Sequence, residues 1–320
     1  MIGVVVSILF VVGIVIVSEI LRKVGKLSNE FTRKFIHIGV SHWWLVAMYN
    51  IEGIRYALLP PILFVILNYI SYKKDLIKSM ERKGDASDLG TVYFPISLVI
   101  LILLTWQGGL LGGNYNYLGA LGVMTMGYGD GFAAILGKNY GRHRYKVYDN
   151  EKSLEGSLGM LGFSFIVSAI LLSNFLGFNI YNLKTSYALA VIATLTEALT
   201  PLGFDNISVP LISALGAYYL LFVAGETVFS FIFLASIGFS FSFIIAYLAF
   251  RKDSLTLDGA MGAVLMGTIM YATSGIYGSS IMVLFFISAS TLSHFKKADK
   301  ERVALQFDKD GQRDMFQVFA

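Results

Sequence analysis

The chain has 320 residues, of which 56% are hydrophobic and 14% are charged, and its mean hydropathy is +0.67. A soluble globular protein carries roughly a quarter of charged residues, so this composition excludes a soluble enzyme, and apolar runs of roughly 20 residues indicate a multi-pass membrane protein. The absence of cysteine excludes disulfides and thiolate metal sites.

Apolar windows predict an all-α, polytopic integral membrane fold with about 10–11 transmembrane helices. The first window follows no basic segment and shows no small-residue cleavage site, so we interpret it as a retained helix and not as a signal peptide. The second window is short for a bilayer, and we expect packing to set its ends. The predicted spans are 2–21, 36–49, 55–71, 91–106, 117–136, 157–176, 186–200, 208–224, 228–250, 258–274 and 278–293.

The distribution of basic residues predicts the orientation. With the N-terminus outside, the loops and the tail on the cytoplasmic side hold 23 of the 25 Lys and Arg residues. Because these residues are enriched in cytoplasmic loops, we expect a cytoplasmic C-terminus, and the basic tail at 294–320 is typical of a segment lying against an anionic leaflet. The polar clusters described next then lie at cytoplasmic helix ends, within reach of a charged co-substrate.

The first polar cluster is NEFTRKFIHIGVSHWW, which carries Arg33, Lys34 and His37 where an inner loop enters the bilayer. Arg33 and His37 are four residues apart, so they share a helix face that would suit a phosphate. Positive-inside anchoring accounts for the same residues without a ligand, and the residues alone favour it. His42 and the two tryptophans that follow it are typical of interfacial packing.

The second cluster runs from residue 129 to residue 158 and mixes glycines, basic residues and carboxylates. Gly129 and Asp130 lie near the inner end of a predicted span, where a buried aspartate requires a partner or a metal. Small residues up to Gly137 indicate close helix packing. Beyond them, Gly141, Arg142 and His143 supply donors suited to phosphate oxygens.

The segment 151–157 is predicted to begin the sixth span. Lys152 would neutralise a phosphate, Ser153 and the exposed helix amides near Gly156 would bind it, and Glu155 would hold a metal. The spacing matches neither Walker A nor the dinucleotide-binding fingerprint. A solvated basic loop followed by a helix cap accounts for this pattern equally well.

The third cluster is IATLTEALTPLGFDN, with Glu197 in an apolar run and Asp205 and Asn206 after a Pro-Gly break. Oxygen ligands of this kind suit Mg²⁺. A helix stop followed by an Asp or Asn cap of the next helix is the alternative, but Glu197 inside the apolar run favours a functional pair.

Together these clusters resemble the polyprenol kinase family, which includes dolichol kinase, phytol kinase and the CTP-dependent diacylglycerol kinase. Four blocks occur in the family's order over about residues 15–225: R-K-x-x-H, then G-D-x-x-A-A-x-x-G-x-x-x-G-R-H, then K-S-x-E-G-S, then a Glu followed by D-N-x-x-V-P. The resemblance implies a membrane enzyme that phosphorylates an isoprenoid alcohol of the phytol, geranylgeraniol or dolichol class. It also implies CTP as the usual donor and Mg²⁺ or another divalent cation.

As a hypothesis, the resemblance assigns two sets of residues. The catalytic set, whose four carboxylates would also bind the metal and polarise the hydroxyl, is Asp130, Lys152, Glu155, Glu197 and Asp205. The nucleotide- and phosphate-binding set is Arg33, Lys34, His37, Gly129, Gly137, Gly141, Arg142, His143, Ser153, Gly156 and Asn206. Which carboxylate acts as base stays open, as does the oligomeric state, and we expect no nucleic-acid partner.

Two alternatives accompany this hypothesis. The K-S-x-E-G block is also similar to phosphatidate cytidylyltransferase, which makes CDP-lipids from CTP, although that family ends in D-R-x-D-S and this chain has D-N-I-S from Asp205. A transporter would account for buried Asp130 and Glu197, but not for polar clusters on one face only.

The chain is predicted to divide into 1–225, the kinase-like membrane domain, and 226–320, an additional membrane segment. The second part carries LTLDGAMGAVLMGTIMY and KDGQRDMFQVFA and resembles the first part of the family that includes phytyl-phosphate kinase. Members of that family continue further, so we expect this segment to be incomplete as a kinase.

Overall fold

The computed structural model describes residues 1–25, 29–74, 89–147, 150–200, 203–294, 313–314 and 317–318. The chain divides into two compact units, Met1–Val223 and Ala224–Ala320. The predicted loop 72–90 and the predicted tail 294–320 lie mostly outside the described residues.

The first unit is a helical bundle with one small hairpin. Its helices are α1 (Ile2–Val24), α2 (Asn29–Ser41), α3 (Trp43–Asn50), α4 (Ile54–Lys74), α5 (Gly90–Thr105), α6 (Asn116–Tyr140), α7 (Leu154–Leu176), α8 (Ile180–Leu199) and α9 (Asp205–Tyr218), which continues as a π-helical turn (Tyr219–Val223). Between α6 and α7, strands β1 (Arg144–Val147) and β2 (Asn150–Ser153) pair antiparallel.

The second unit contains α10 (Glu226–Arg251) and α11 (Leu257–His294). The two predicted spans 258–274 and 278–293 both lie within α11, which is interrupted at Gly275, where φ is 62° and ψ is −155°. Glycine adopts this positive φ at little cost because it has no Cβ. The interruption therefore separates the two apolar stretches at the position where the prediction placed a connection.

The predicted all-α, multi-pass membrane fold is confirmed. In the described part of the chain, six helices are long and apolar enough to cross a membrane. They are Ile2–Val24, Ile54–Lys74, Leu154–Leu176, Asp205–Val223, Glu226–Arg251 and Leu257–Ser288. The predicted orientation of the termini stays a prediction.

The predicted window 36–49 corresponds to two consecutive helices, since α2 ends at Ser41 and α3 begins at Trp43. The prediction for the tryptophans is wrong. Trp43 and Trp44 do not pack at an interface: they are 1% and 0% exposed, in a core cluster with Trp106, and Trp44 Nε1 donates to the Asn116 carbonyl oxygen at 2.8 Å. Burial of the large aromatic rings outweighs their tendency to lie at a membrane surface.

Helix α6 packs closely against both α2 and α7, because glycines on two of its faces leave room for these helices. Gly127 and Gly131, four residues apart, share one face, and a Cβ on either would meet α2. On the other face, a Cβ on Gly129 would meet Met160 Sδ and Ser164 Oγ of α7. These small residues let three helices approach closely around Asp130.

A second core cluster joins the four helices that carry the third and second polar clusters. Its members are Met126, Ala133, Met160, Ala193 and Val209, from α6, α7, α8 and α9. They are 8% exposed or less. Through these apolar contacts, the end of α8 and the start of α9 lie against the C-terminal half of α6 and the first turns of α7.

Candidate active site

Asp130 on α6 is held by two side chains from α2. Lys34 Nζ donates to Asp130 Oδ2 at 2.6 Å, and both side chains are largely buried, 5% and 14% exposed. His37 Nε2 lies 3.5 Å from the same carboxylate oxygen. Arg33, one residue before Lys34, lies close enough to both Asp130 and His37 to interact with them electrostatically. Of the three predicted phosphate-binding residues of α2, two thus contact Asp130 and the third lies within electrostatic range of it.

The imidazole of His37 has an unusual environment. Its ring packs against Phe94 with 5.2 Å between centroids. Its Nε2 is buried and makes no hydrogen bond within the part of the chain that the structure describes. Buried polar atoms in native proteins are nearly always paired, so this nitrogen is suited to a ligand oxygen.

Lys152 on β2 reaches the end of α8. Its Nζ donates to Glu197 Oε1 at 2.6 Å and also to the main-chain oxygen of Glu197. The two side chains are 15% and 11% exposed. The prediction placed Lys152 on the first turn of the sixth span, and this is wrong: β2 extends to Ser153 and α7 begins at Leu154. An extended backbone carries the lysine side chain toward α8.

Asp205 is the first residue of α9. Its Oδ1 accepts from the main-chain N–H and the side-chain amide of Asn206, both at 2.9 Å. Asn206 Nδ2 also donates to the Gly203 oxygen at 3.0 Å. The helix cap position is Phe204, whose side chain forms no capping bond. The alternative in which Asp205 or Asn206 serves as the N-cap residue is therefore not what the structure shows.

The two lysine pairs and Asp205 form one electrostatic neighbourhood. Asp205 lies within interaction range of Asp130, Glu197, Lys34 and Lys152. Glu197 in turn interacts with Asp130 and Lys34, in addition to its partner Lys152. Residues from α2, α6, β2, α8 and α9 thus converge, although they are far apart in sequence.

His143 and Glu155 form a separate pair beside this neighbourhood. His143 Nδ1 lies 2.7 Å from Glu155 Oε1, and the His143 main-chain N–H donates to Glu155 Oε2 at 3.3 Å. The two side chains are 38% and 24% exposed. Arg142, also predicted to bind phosphate, is exposed, and its main-chain N–H contributes to holding Glu155. Glu155 is thus turned toward the loop after α6.

Ser153 joins α6 to α7. Its Oγ accepts from the Gly156 N–H at 3.1 Å and so caps α7. A Cβ on Gly137 or on Gly141 would lie 2.9 Å from the same oxygen, so these glycines allow the end of α6 to lie against the cap. Ser153 Oγ is engaged within the protein, and its predicted phosphate role stays a prediction.

Two polar contacts in this region were not predicted from the sequence. Tyr145 Oη on β1 lies 2.6 Å from Ser157 Oγ on α7. Tyr128 Oη lies 3.1 Å from His42 Nε2, while His42 Nδ1 is 2.9 Å from the Ile38 oxygen. Ser157 is the final serine of the K-S-x-E-G-S block, so the sequence marked this residue. It did not show that Tyr145 is its partner, because that depends on how β1 pairs with β2.

The site contains carboxylate oxygens that could bind a divalent metal, but they do not form a complete set of protein ligands. Among the described residues, no group of three or more His, Asp and Glu side chains lies together as a metal site. A Mg²⁺ that binds nucleotide phosphates needs only one or two carboxylates. Asp205 suits this role, because its described hydrogen bonds come from neutral amides, whereas Asp130, Glu155 and Glu197 each contact a Lys or His side chain.

The chain is similar in sequence to known phytol and farnesol kinases. The chain is 33% identical over 211 residues to phytol kinase of Synechocystis sp., covering 64% of this chain and 86% of the relative. It is 29% identical over 225 residues to phytol kinase 1, chloroplastic, of Arabidopsis thaliana, covering 64% and 71%. It is 26% identical over 218 residues to farnesol kinase, chloroplastic, of the same plant, covering 62% and 69%.

The second unit has a different likeness. Residues 240–320 match the family described as Integral membrane protein DUF92. No solved structure matches the chain. All candidate site residues lie in the first unit. The chain is an integral membrane protein. The identity and the coverage of its match to phytol kinase show that it belongs to the polyprenol kinase family, as a phytol kinase-like member.

Proposed function

We propose that this protein is a CTP-dependent kinase that converts a membrane isoprenoid alcohol, of the phytol, geranylgeraniol or dolichol class, into its monophosphate. The kinases to which it is similar are named for phytol and farnesol. The observation that carries the proposal is the buried Nε2 of His37, which makes no hydrogen bond within the described residues and lies 3.5 Å from Asp130 Oδ2. Asp130 in turn pairs with Lys34 and lies within electrostatic range of Glu197 and Asp205. An acceptor for a hydroxyl next to clustered cations is the arrangement that phosphoryl transfer to an alcohol requires.

In this proposal the alcohol hydroxyl lies against His37 and Asp130. Lys34 holds the Asp130 carboxylate in place through their 2.6 Å contact, so the acceptor geometry is set before substrate arrives. The alcohol oxygen attacks the γ-phosphorus of CTP, the bond from that phosphorus to the β-phosphate oxygen breaks, and the hydroxyl proton passes to the His37–Asp130 pair. CDP leaves with the electron pair of the broken bond.

The remaining residues stabilise charge. Lys152 and Lys34 neutralise the triphosphate and the charge that develops during transfer, with Arg33 and the donors of the 141–143 loop nearby. A divalent cation such as Mg²⁺ would be held by Asp205, with Asp130 or Glu197 as a further oxygen ligand, and would neutralise negative charge on the nucleotide phosphates. The lysine pairs are largely buried, and the lower local dielectric strengthens each of these interactions.

We further propose that the site faces the cytoplasm. Support comes from the Lys and Arg distribution, since the predicted topology puts 23 of the 25 basic residues on the cytoplasmic side together with the site residues. Soluble CTP would then enter from the cytosol, while the lipid alcohol enters laterally between helices.

The test uses full-length protein in lipid nanodiscs with two differently labelled nucleotides. With geranylgeraniol, phytol or dolichol, CTP labelled in the γ-phosphate should give a labelled lipid monophosphate, and CTP labelled in the α-phosphate should leave its label in CDP. Transfer of the α-label to lipid, with phosphatidate as acceptor and release of pyrophosphate, would establish cytidylyl transfer instead. ATP and GTP in parallel test the choice of donor.

A further inference from the structure

Tyr145 is fixed between the hairpin and α7. Its hydroxyl lies 2.6 Å from Ser157 Oγ, in the first turn of α7. Tyr145 lies on β1, which is outside the membrane-spanning helices, and burial raises the pKa of its hydroxyl above the ordinary value. The phenol is therefore neutral near pH 7, so it donates or accepts hydrogen bonds without carrying charge.

The register of the hairpin places Tyr145 beside Lys152. The two residues are directly opposed in the β1–β2 ladder. Directly opposed side chains stand on the same face of an antiparallel pair, with Cβ atoms about 4.5–5.5 Å apart. Tyr145 also lies close enough to Glu197 to interact with it electrostatically, and Glu197 is the residue that Lys152 contacts. The phenol thus shares one face of the hairpin with the lysine side chain and lies within electrostatic range of the carboxylate that the lysine contacts.

The neighbouring contacts tie this part of β1 to α7. The Leu154 N–H donates to the His143 oxygen at 2.9 Å, and the His143 ring meets Glu155. Tyr145 adds a contact two residues further along, on the stretch of strand that faces Lys152. A lysine has four rotatable side-chain bonds and loses rotamer freedom when it is held in one place, so a rigid neighbour determines where its ammonium group lies.

We propose that Tyr145 is a positioning residue for Lys152: the Tyr145–Ser157 hydrogen bond fixes the phenol ring, and the ring directs the lysine ammonium to the place where it meets Glu197 and the nucleotide phosphates. This inference rests on the proposed function. Tyr145 itself does not contact reacting atoms; it acts through Lys152. The same contact gives the last serine of the K-S-x-E-G-S block a role, as the anchor for Tyr145.

The test is a double-mutant cycle on the full-length protein in nanodiscs. Y145F and S157A should each lower kcat/KM for CTP about tenfold, with KM for the lipid alcohol unchanged, because a displacement near 1 Å at a charged group costs up to about a hundredfold. In a K152M background, Y145F should have no further effect. Y140F, which changes an exposed tyrosine at the end of α6, should behave as wild type.

Three outcomes overturn the inference: Y145F with wild-type kinetics, Y145F with an equal effect in the presence and absence of Lys152, or an activity loss that follows the loss of thermal stability. CTP binding measured by calorimetry on the same variants is a readout that does not depend on turnover. There, Y145F should weaken CTP about tenfold only when Lys152 is present. Wild-type protein that binds CTP without transferring phosphate would contradict the proposed function alone, and wild-type protein that binds no CTP would contradict both.

Discussion

Lys152 Nζ contacts Glu197 twice, through the side-chain carboxylate at 2.6 Å and through the main-chain oxygen. The residues are 45 positions apart, one on a strand before α7 and the other near the end of α8. The lysine therefore both pairs a buried charge and ties the hairpin to the α8 terminus. In the proposed reaction, its ammonium group is already held at the place where the phosphates bind.

Replacing Lys152 separates these two roles. We expect K152M to lower kcat about 100-fold or more, as loss of one charge-stabilising donor does, and to destabilise the protein, since removing one partner of a buried ion pair costs about 3–5 kcal/mol. K152M/E197M removes both charges, so it should recover much of the stability and none of the activity. The matched control is K138A, which replaces an exposed lysine at the end of α6.

Thermal unfolding measures the change in stability, and the rate of phosphate transfer measures the change in activity. Recovery of activity in the double variant would contradict the proposed role of Lys152.

Replacing His37 tests the proposed acceptor. General acid–base groups contribute about 10²–10⁴-fold, so H37A should lower kcat within this range while KM for CTP changes little. H42Q alters the other histidine of the region, which pairs with Tyr128, and should retain activity. Initial rates at saturating alcohol and nucleotide give the comparison. Equal losses for both variants would indicate a packing effect and not proton transfer.

Asp205 is expected to control the metal dependence. D205N preserves the size of the side chain and an oxygen that accepts from Asn206, but it removes the charge that holds Mg²⁺. Activity should fall about 100-fold, the Mg²⁺ concentration for half-maximal rate should rise, and stability should change by less than about 1 kcal/mol. A Mg²⁺ titration of the rate and a thermal unfolding curve are the measurements. An unchanged Mg²⁺ titration would exclude Asp205 as a ligand.

Gly141 and Gly162 form a matched pair for the α6–α7 junction. A Cβ on Gly141 would collide with the Gly137 main-chain oxygen and lie 2.9 Å from Ser153 Oγ, whereas a Cβ on Gly162 meets nothing within 4 Å. G141A should therefore shift the cap of α7 and the hairpin beside it, lowering activity by at least about tenfold. G162A should retain activity, because alanine is favoured over glycine within a helix. Similar rates for the two variants would contradict the importance of this close approach.

Local chemistry made much of the polar cluster predictable. Asp130, Lys152, Glu197 and Asp205 stand out in the sequence because charged residues beside apolar runs are rare, and because they belong to four blocks in a recognisable order. The structure brings these four residues close together, and their catalytic roles stay a prediction. Strand β2 before α7 was not predicted, since a short polar stretch in front of a helix carries no marker that separates a strand from a loop. The cap at Ser153 shows where the helix begins only once the Gly156 N–H is seen to reach it.

The sequence by itself determined that this protein lies in the membrane, that its fold is helical, and which residues carry charge where apolar helices end. These properties follow from composition and from the length of apolar runs, which the thickness of a bilayer sets. Only the tertiary structure decided the pairing. Lys34 meets Asp130 across 96 positions and Lys152 meets Glu197 across 45, because the glycines of α6 and the apolar contacts of Met126 and Met160 determine which helices become neighbours. Spacing along the chain contains no information on which cation reaches which carboxylate.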